Sequence, residues 1–203
     1  EWADESGDLG PVYGAQWRDF NGYDQLMNLI YNIMVDPMSR RHILSAWRPD
    51  KLKNMVLPPC HYAIQVNIND DKMDLMWIQR SADVFLGLPY DIAMYGILLE
   101  LLCVNTEYKP GKLIGQLGDC HLYLNHVDAA ETYIYRNPSD IELPKLKIHG
   151  DGIIFKGGHR LTHELVKLIM SDNSNWKYDY DKSDLDDLTF STLDHKKELS
   201  ASL

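Results

Sequence analysis

Residues 60–104 read CHYAIQVNINDDKMDLMWIQRSADVFLGLPYDIAMYGILLELLCV, and the change of period inside this stretch decides the fold. Tyr62 to Asn69 and Met73 to Gln79 are β-leaning runs, and the Asp70-Asp71-Lys72 between them predicts a hairpin. From Gly87 to Val104 the beat becomes helical, with Ile92, Tyr95, Leu98, Leu99 and Cys103 recurring, which predicts a buried central helix. Toward the N-terminus, His42 to Arg48 predicts another strand. Tyr23 to Val35 predicts a helix with Leu26, Ile30, Ile33 and Met34 on its buried face, closed by Asp36-Pro37. Residues 1–20, broken by Gly7, Gly10, Pro11 and Gly14, are expected to form an ordered loop with one short strand. Toward the C-terminus, Leu113 to Tyr123 predicts a strand, Asn125 to Arg136 a helix, and Leu146 to Ile148 a short strand after Pro144. A helix is expected around Leu161 to Met170, followed by the acidic SDNSNWKYDYDKSDLDD, so that 149–203 reads as a divergent C-terminal segment with a solvated tail. With no internal repeat, residues 1–203 are expected to be one mixed α+β domain.

The 203 residues are 45% apolar, enough for a sizeable core, and 30 acidic against 20 basic side chains give a formal charge of −10. That sign excludes a protein that wraps a nucleic-acid backbone or coats an anionic membrane, so an anionic ligand must be met by a local cluster of Arg. Cys60, Cys103 and Cys120 are too few and too scattered for a disulfide framework, which suggests a reducing cytosol. No run is expected to reach the roughly 18 apolar residues of a membrane span, and no leader is read, so the expected location is cytoplasmic. A first residue of Glu1 rather than Met raises the expectation that the chain is a fragment.

Cys60 follows Pro58-Pro59 and precedes His61 and a strand, a rigid presentation for a thiol. Such a cysteine is usually a small buried hydrophobe; it becomes a nucleophile where positive charge favours the thiolate. Arg40-Arg41 and Gln79-Arg80-Ser81 set guanidinium forks at loop and strand ends, which suits a phosphate monoester, although each Arg alone reads as a surface ion-pair partner. His121 and Tyr123 alternate on a strand and point the same way, fit either to grip a sugar hydroxyl or simply to pack. His121 and His126 lack companions at ligand spacing, and no metal is assigned.

The blocks GDLGPVYGAQWR, SRRHILSAW, LPPCH, QRSADVFLGLPYDIAMYG and GDCHLYLNH, in this order, resemble the thymidylate synthase family of pyrimidine-nucleotide C5 transferases over residues 1 to about 148. The resemblance implies an α/β (α+β) fold built on a large mixed β-sheet packed with helices, paired sheet to sheet as a homodimer. It implies Cys60 as the nucleophile, Tyr13 and His61 in a proton network, and Arg80 and Ser81, beside Gln79, on the substrate phosphate side. Arg40 and Arg41 reach the phosphate from the partner subunit, and His121 and Tyr123 bind the ribose. Asp83, Gly87 and Leu57 line the side of the co-substrate 5,10-methylenetetrahydrofolate. No nucleic acid, membrane or metal is implied.

Three departures stand out. Where deoxyuridylate-methylating members carry Asn, this chain has Asp91, resembling the bacteriophage cytidylate hydroxymethylases. A carboxylate only accepts unless protonated, and an acceptor facing uracil O4 would cost on the order of 1–3 kcal/mol. The expected activity is therefore hydroxymethyl transfer to dCMP, with thymidylate synthesis from dUMP as the alternative and a non-catalytic nucleotide-binding subunit as a further one. The family's C-terminal closing tail is only faintly echoed around Leu193 and His195, and the segment carrying its general-base Glu is expected upstream of residue 1.

Overall fold

The hairpin forms where the two aspartates predict it. Strand β2 (His61–Asn69) turns through Asp70, whose φ of 55° is tolerated by a short polar side chain, into β3 (Lys72–Asp83). This computed structural model describes residues 3, 5, 7–136, 154–155 and 159–160. Strand β1 (Ile43–Ser45) adds antiparallel to β2, and β4 (Lys109–His121) adds parallel to β3 after the crossover helix α3 (Gly87–Thr106), giving the order β1-β2-β3-β4. The sheet is mixed because only a long connection can return the chain parallel to β3.

Register sorts the residues into two faces. Leu44, Ile64, Trp77 and Gly115 form one row across the four strands and face the helices. Ile43, Gln65, Met76 and Ile114 form the next row, on the opposite face. On the first face the core joins Ile64, Val66, Met73 and Leu75 to Ile30 and Ile33 of α2 (Gln25–Val35) and to Tyr95, Leu99 and Leu102 of α3. Helix α2 starts on Asp24, whose carboxylate accepts from Met27 N at 3.0 Å. Gln25 ties it to β1, donating to Ser45 O at 2.7 Å and accepting from Ser45 N at 3.0 Å.

Several expectations need correction. The opening holds a helix, α1 (Gly14–Arg18), instead of a strand, because GAQWR contains good helix formers behind the glycines. The strand expected over His42 to Arg48 is only three residues long. Strand β4 begins before Leu113, running through Pro110 and Gly111; a proline is tolerated here because β4 is an edge strand of the described sheet. The helix expected from Asn125 opens as a 3₁₀ turn, Leu124–His126, and continues as α4 (Val127–Ile134). Helix α3 is long and apolar enough, by length and composition, to cross a membrane, against expectation. It is also buried on one face only: Tyr95, Leu99 and Cys103 are inside, whereas Tyr90 and Ile92 are exposed. Two short antiparallel strands, β5 (Ile154–Phe155) and β6 (His159–Arg160), lie in the part read as divergent. The strand at Leu146 to Ile148, the helix at Leu161 to Met170 and the acidic tail lie outside the described residues.

Candidate active site

The chemistry-bearing residues converge at the end of the hairpin away from its turn. Arg80 N donates to Cys60 O at 2.8 Å, and His61 pairs with Gln79, so LPPCH and QRS meet through the ladder itself. Pro58 and Pro59 have no N–H groups, and their carbonyls are taken by Arg80: Nη2 donates to Pro58 O at 2.8 Å and Nε to Pro59 O at 3.0 Å. The guanidinium is thereby pinned with Nη2 at 3.8 Å from Cys60 Sγ. The sulfur is half-buried and keeps this fixed cation as its neighbour. The same bonds occupy Nε and one side of Nη2, leaving Nη1 to reach an anion.

His61 is turned into this group by a bulge. Between His61 and Ala63, β2 advances two residues while β3 advances one, which re-aims the imidazole toward the helix side. There His61 Nδ1 shares a hydrogen bond of 2.7 Å with Tyr95 Oη, and Nε2 lies 3.7 Å from Asp91 Oδ1. Burial pushes the imidazole below its ordinary range, opposed by Asp91, so the ring is neutral at pH 7. Tyr13 stacks on it at 4.3 Å between centroids, and its Oη accepts from Cys60 N at 3.2 Å. Tyr13 takes a φ of 36°, an unusual conformation for a non-glycine residue, as its segment passes from Gly10 into α1. Gly10 permits that passage: its φ is 76°, and a Cβ there would collide with Asn54 O. Burial also raises the Tyr13 phenol, and the Tyr95 phenol is raised by burial, then by Asp91 and Tyr13, so both keep their protons.

Asp91 sits one turn before Tyr95 on α3 and is held from β3: Gln79 Nε2 donates to its Oδ2 at 2.8 Å. Tyr13, Cys60, His61, Gln79, Arg80 and Asp91, each named from sequence, are therefore one cluster. Ser81 follows Arg80 on β3 and gives its carbonyl to Gln79 Nε2 at 2.9 Å. Asp83 pairs in register with His121, and its Oδ1 accepts from Phe85 N at 3.1 Å, capping the turn into Gly87 and α3. Strand β4 ends at His121, so Tyr123 lies beyond it at the start of the 3₁₀ turn and the expected strand alternation of the pair does not form; the two rings pack edge-on at 5.1 Å. Leu57 is exposed three residues before Cys60. Arg40 and Arg41 are not brought to the cluster within this chain: both are exposed on the approach to β1, with no ion pair among the described residues.

Three participants escaped the sequence reading. Tyr95 was legible only as core, although its i+4 spacing from Asp91 places both on one helix face. Trp77, two before Gln79 on the same strand face, donates its indole N–H to Gln79 Oε1 at 3.0 Å. Asp119, two before His121, holds His121 Nδ1 at 3.0 Å. A cleft of about 470 Å³ lined by Pro11, Ala15, Gln16, Arg48, Lys51 and Asn54 has no member of the Cys60 cluster in its lining.

A family model described as thymidylate synthase matches residues 1–184, well past the limit near 148 read from the motifs. The thymidylate synthase of Mycoplasma pneumoniae is 44% identical over 155 residues, 76% of this chain and 53% of that protein. That of Mesoplasma florum is 47% identical over 156 residues, 76% and 54% respectively. The crystal structure of thymidylate synthase from T4 phage aligns with a TM-score of 0.69 at 43% identity, covering 82% of this chain and 57% of that one. The chain thus spans about half the length of the relatives it matches.

Proposed function

The chain belongs to the thymidylate synthase family, and on that premise we propose that it transfers a one-carbon unit from 5,10-methylenetetrahydrofolate to C5 of a pyrimidine deoxynucleoside monophosphate. The observation that carries this reading is the Cys60 thiol held 3.8 Å from the pinned Arg80 guanidinium, inside the Tyr13, His61 and Asp91 cluster. In the proposed reaction the Cys60 thiolate bonds to C6 of the base and electron density moves to C5, which bonds to the methylene carbon of the folate as that carbon's bond to N10 breaks. Loss of the C5 proton expels the folate by breaking its N5–carbon bond and leaves an exocyclic methylene on the ring. Hydride from the released tetrahydrofolate, which departs as dihydrofolate, makes a methyl group, or water makes hydroxymethyl, and as either adds the Sγ–C6 bond breaks and frees the enzyme. Asp91 meets the base edge, and Arg80, through Nη1, with Ser81, meets the phosphate. His121 and Tyr123 hold the ribose. Exposed Leu57 and Leu86 offer apolar surface to the folate, and Asp83 with Gly87, the first residue of α3, completes that side.

The relatives' name supports dUMP as first substrate, which demotes the cytosine reading taken from sequence. The second reading, hydroxymethyl transfer to dCMP, keeps one specific observation in its favour. Gln79 donates to Oδ2, so an ionised Asp91 offers the base only acceptors. Its Oδ1 accepts N3–H of uracil or N4–H of cytosine equally well, but gives uracil O4 no donor. Among the described residues, Ile43 and Ile114 are exposed on the sheet face opposite the helices, which supports a sheet-to-sheet homodimer in which Arg40 and Arg41 serve the partner's phosphate. A single catalytic domain over 1–203 in the cytoplasm completes the reading.

The test is release of tritium from C5-labelled dUMP and dCMP with methylenetetrahydrofolate. Release from dUMP alone supports the first reading, and release from dCMP alone supports the second. Binding of both without release from either refutes catalysis by this chain and leaves a nucleotide-binding subunit.

A further inference from the structure

The buried amide of Gln79 has three partners and no choice of orientation. Trp77 Nε1 is solely a donor and gives its proton to Gln79 Oε1 at 3.0 Å. Gln79 Nε2 must face the other way, where two acceptors wait, Ser81 O at 2.9 Å and Asp91 Oδ2 at 2.8 Å. The indole is itself confined: it is 4% exposed and stacked on Tyr95 at 5.4 Å with 13° between planes. Gly115 of β4 lies beneath it with no side chain to interpose.

We infer that Trp77 is a positioning residue for Asp91, acting through Gln79 to fix which carboxylate oxygen meets the base. Because Gln79 always presents N–H, Oδ2 always accepts. Any proton that Asp91 carries or shares sits on Oδ1, the oxygen 3.7 Å from His61 Nε2. A carboxylate free to rotate would offer either oxygen in either protonation state, and its discrimination between an N4 amino group and an O4 carbonyl would blur. Gln79, expected from sequence beside the substrate, is accordingly a holder of Asp91, both ends of its amide being taken by protein groups.

The nucleotide part of this inference rests on the reading of Asp91 as the base-binding residue; the amide geometry does not. Trp77→Phe keeps an aromatic ring against Tyr95 and deletes the N–H. Binding of dCMP and dUMP is measured for the unmodified chain, Trp77→Phe, Asp91→Ala and the double variant. Losing one hydrogen bond of this kind should change the dCMP:dUMP affinity ratio about three- to tenfold with Asp91 present, and leave it unchanged in the Asp91→Ala background. Equal weakening of both nucleotides at constant ratio, or the same ratio change in both backgrounds, overturns the positioning role. A second measurement separates failure of the inference from failure of the functional reading. The Gln79 side-chain amide protons, assigned by their disappearance in Gln79→Met, should exchange slowly in the nucleotide-free chain and at least tenfold faster in Trp77→Phe. Fast exchange in the unmodified chain overturns the inference, whatever the nucleotides do. Slow exchange with no nucleotide bound overturns the functional reading alone.

Discussion

Gly115→Ala adds a single methyl group and should cost more than most larger changes in this chain. A Cβ at 115 would stand 2.5 Å from Cζ2 of Trp77, 2.6 Å from Cη2 and 3.1 Å from Cε2. Carbon atoms ordinarily rest at about 3.5–4.0 Å, so the closest contact is roughly 1 Å too short. The indole cannot yield as an exposed side chain would, being buried between β4 and Tyr95. Overpacking of this kind costs about 1–3 kcal/mol, and tilting the ring off Gln79 forfeits about 1 kcal/mol more, so the expected loss is roughly 2–4 kcal/mol. With a urea slope of about 2 kcal/mol/M the midpoint should fall by about 1–2 M. Gly14→Ala is the matched control, because a Cβ there meets nothing within 4 Å; it should leave stability unchanged or slightly raised. Trp77→Phe removes the outer ring that collides, so adding Gly115→Ala to it should cost less than about 1 kcal/mol. Equal losses in the two backgrounds, or no loss in either, would refute the collision and with it the account of how Trp77 is held.

Other consequences follow from the same geometry. Cys60→Ser should retain nucleotide binding within about threefold while abolishing tritium release, and an unchanged rate would remove the sulfur from the mechanism. His61 is pushed down by burial, so the unfolded chain takes up a proton near pH 6.5 before the native one does. Stability should therefore fall as pH drops from about 7 through 6.5 and level off below the native value, and His61→Gln should flatten that slope; an unaltered slope in urea titrations at several pH values would contradict the burial argument. Cys103 is buried and its thiol pushed up to about 12, whereas Cys120 is exposed and Cys60 half-buried. Ellman's reagent should find Cys120 first, Cys60 more slowly and Cys103 only after unfolding; prompt reaction of all three sulfurs would show that the α3 packing is wrong.

What sequence reveals here depends on the range of the signal. The hairpin was legible because alternation and the Asp70-Asp71 turn are both local. So was the coming together of Cys60 and Arg80, once a hairpin places His61 opposite Gln79. The N-terminal start of β4 was obscured by Pro110 and Gly111, whose usual meaning as breakers yields to the absence of a neighbour beyond β4 in the described sheet. Burial of α3 was overstated because periodicity marks the apolar residues without saying how many find partners. Tyr95 and Trp77 escaped as site residues because their aromatic bodies read as core, and the role of each lies in one polar atom at the ring's edge. Asp91 stood out in the sequence as a departure from the family motif, and the structure places it beside His61 and Gln79. Its environment, which decides what it offers a base, depends on an amide and an indole that no spacing rule connects.

The order in which the strands meet has a kinetic consequence. Strands β2 and β3 pair across a two-residue turn, so the thiol and its guanidinium can find one another by closing a loop of about twenty residues, on a microsecond scale. His121 arrives only when β4 has been carried back by the 20 residues of α3 and laid parallel on the far side of β3. Such long-range closure is slow. A newly made chain should therefore pass through a stage in which Cys60 already stands beside Arg80 while His121 has yet to reach the end of β3. An oxidant or electrophile meeting the chain at that stage would find the sulfur less shielded than in the finished protein.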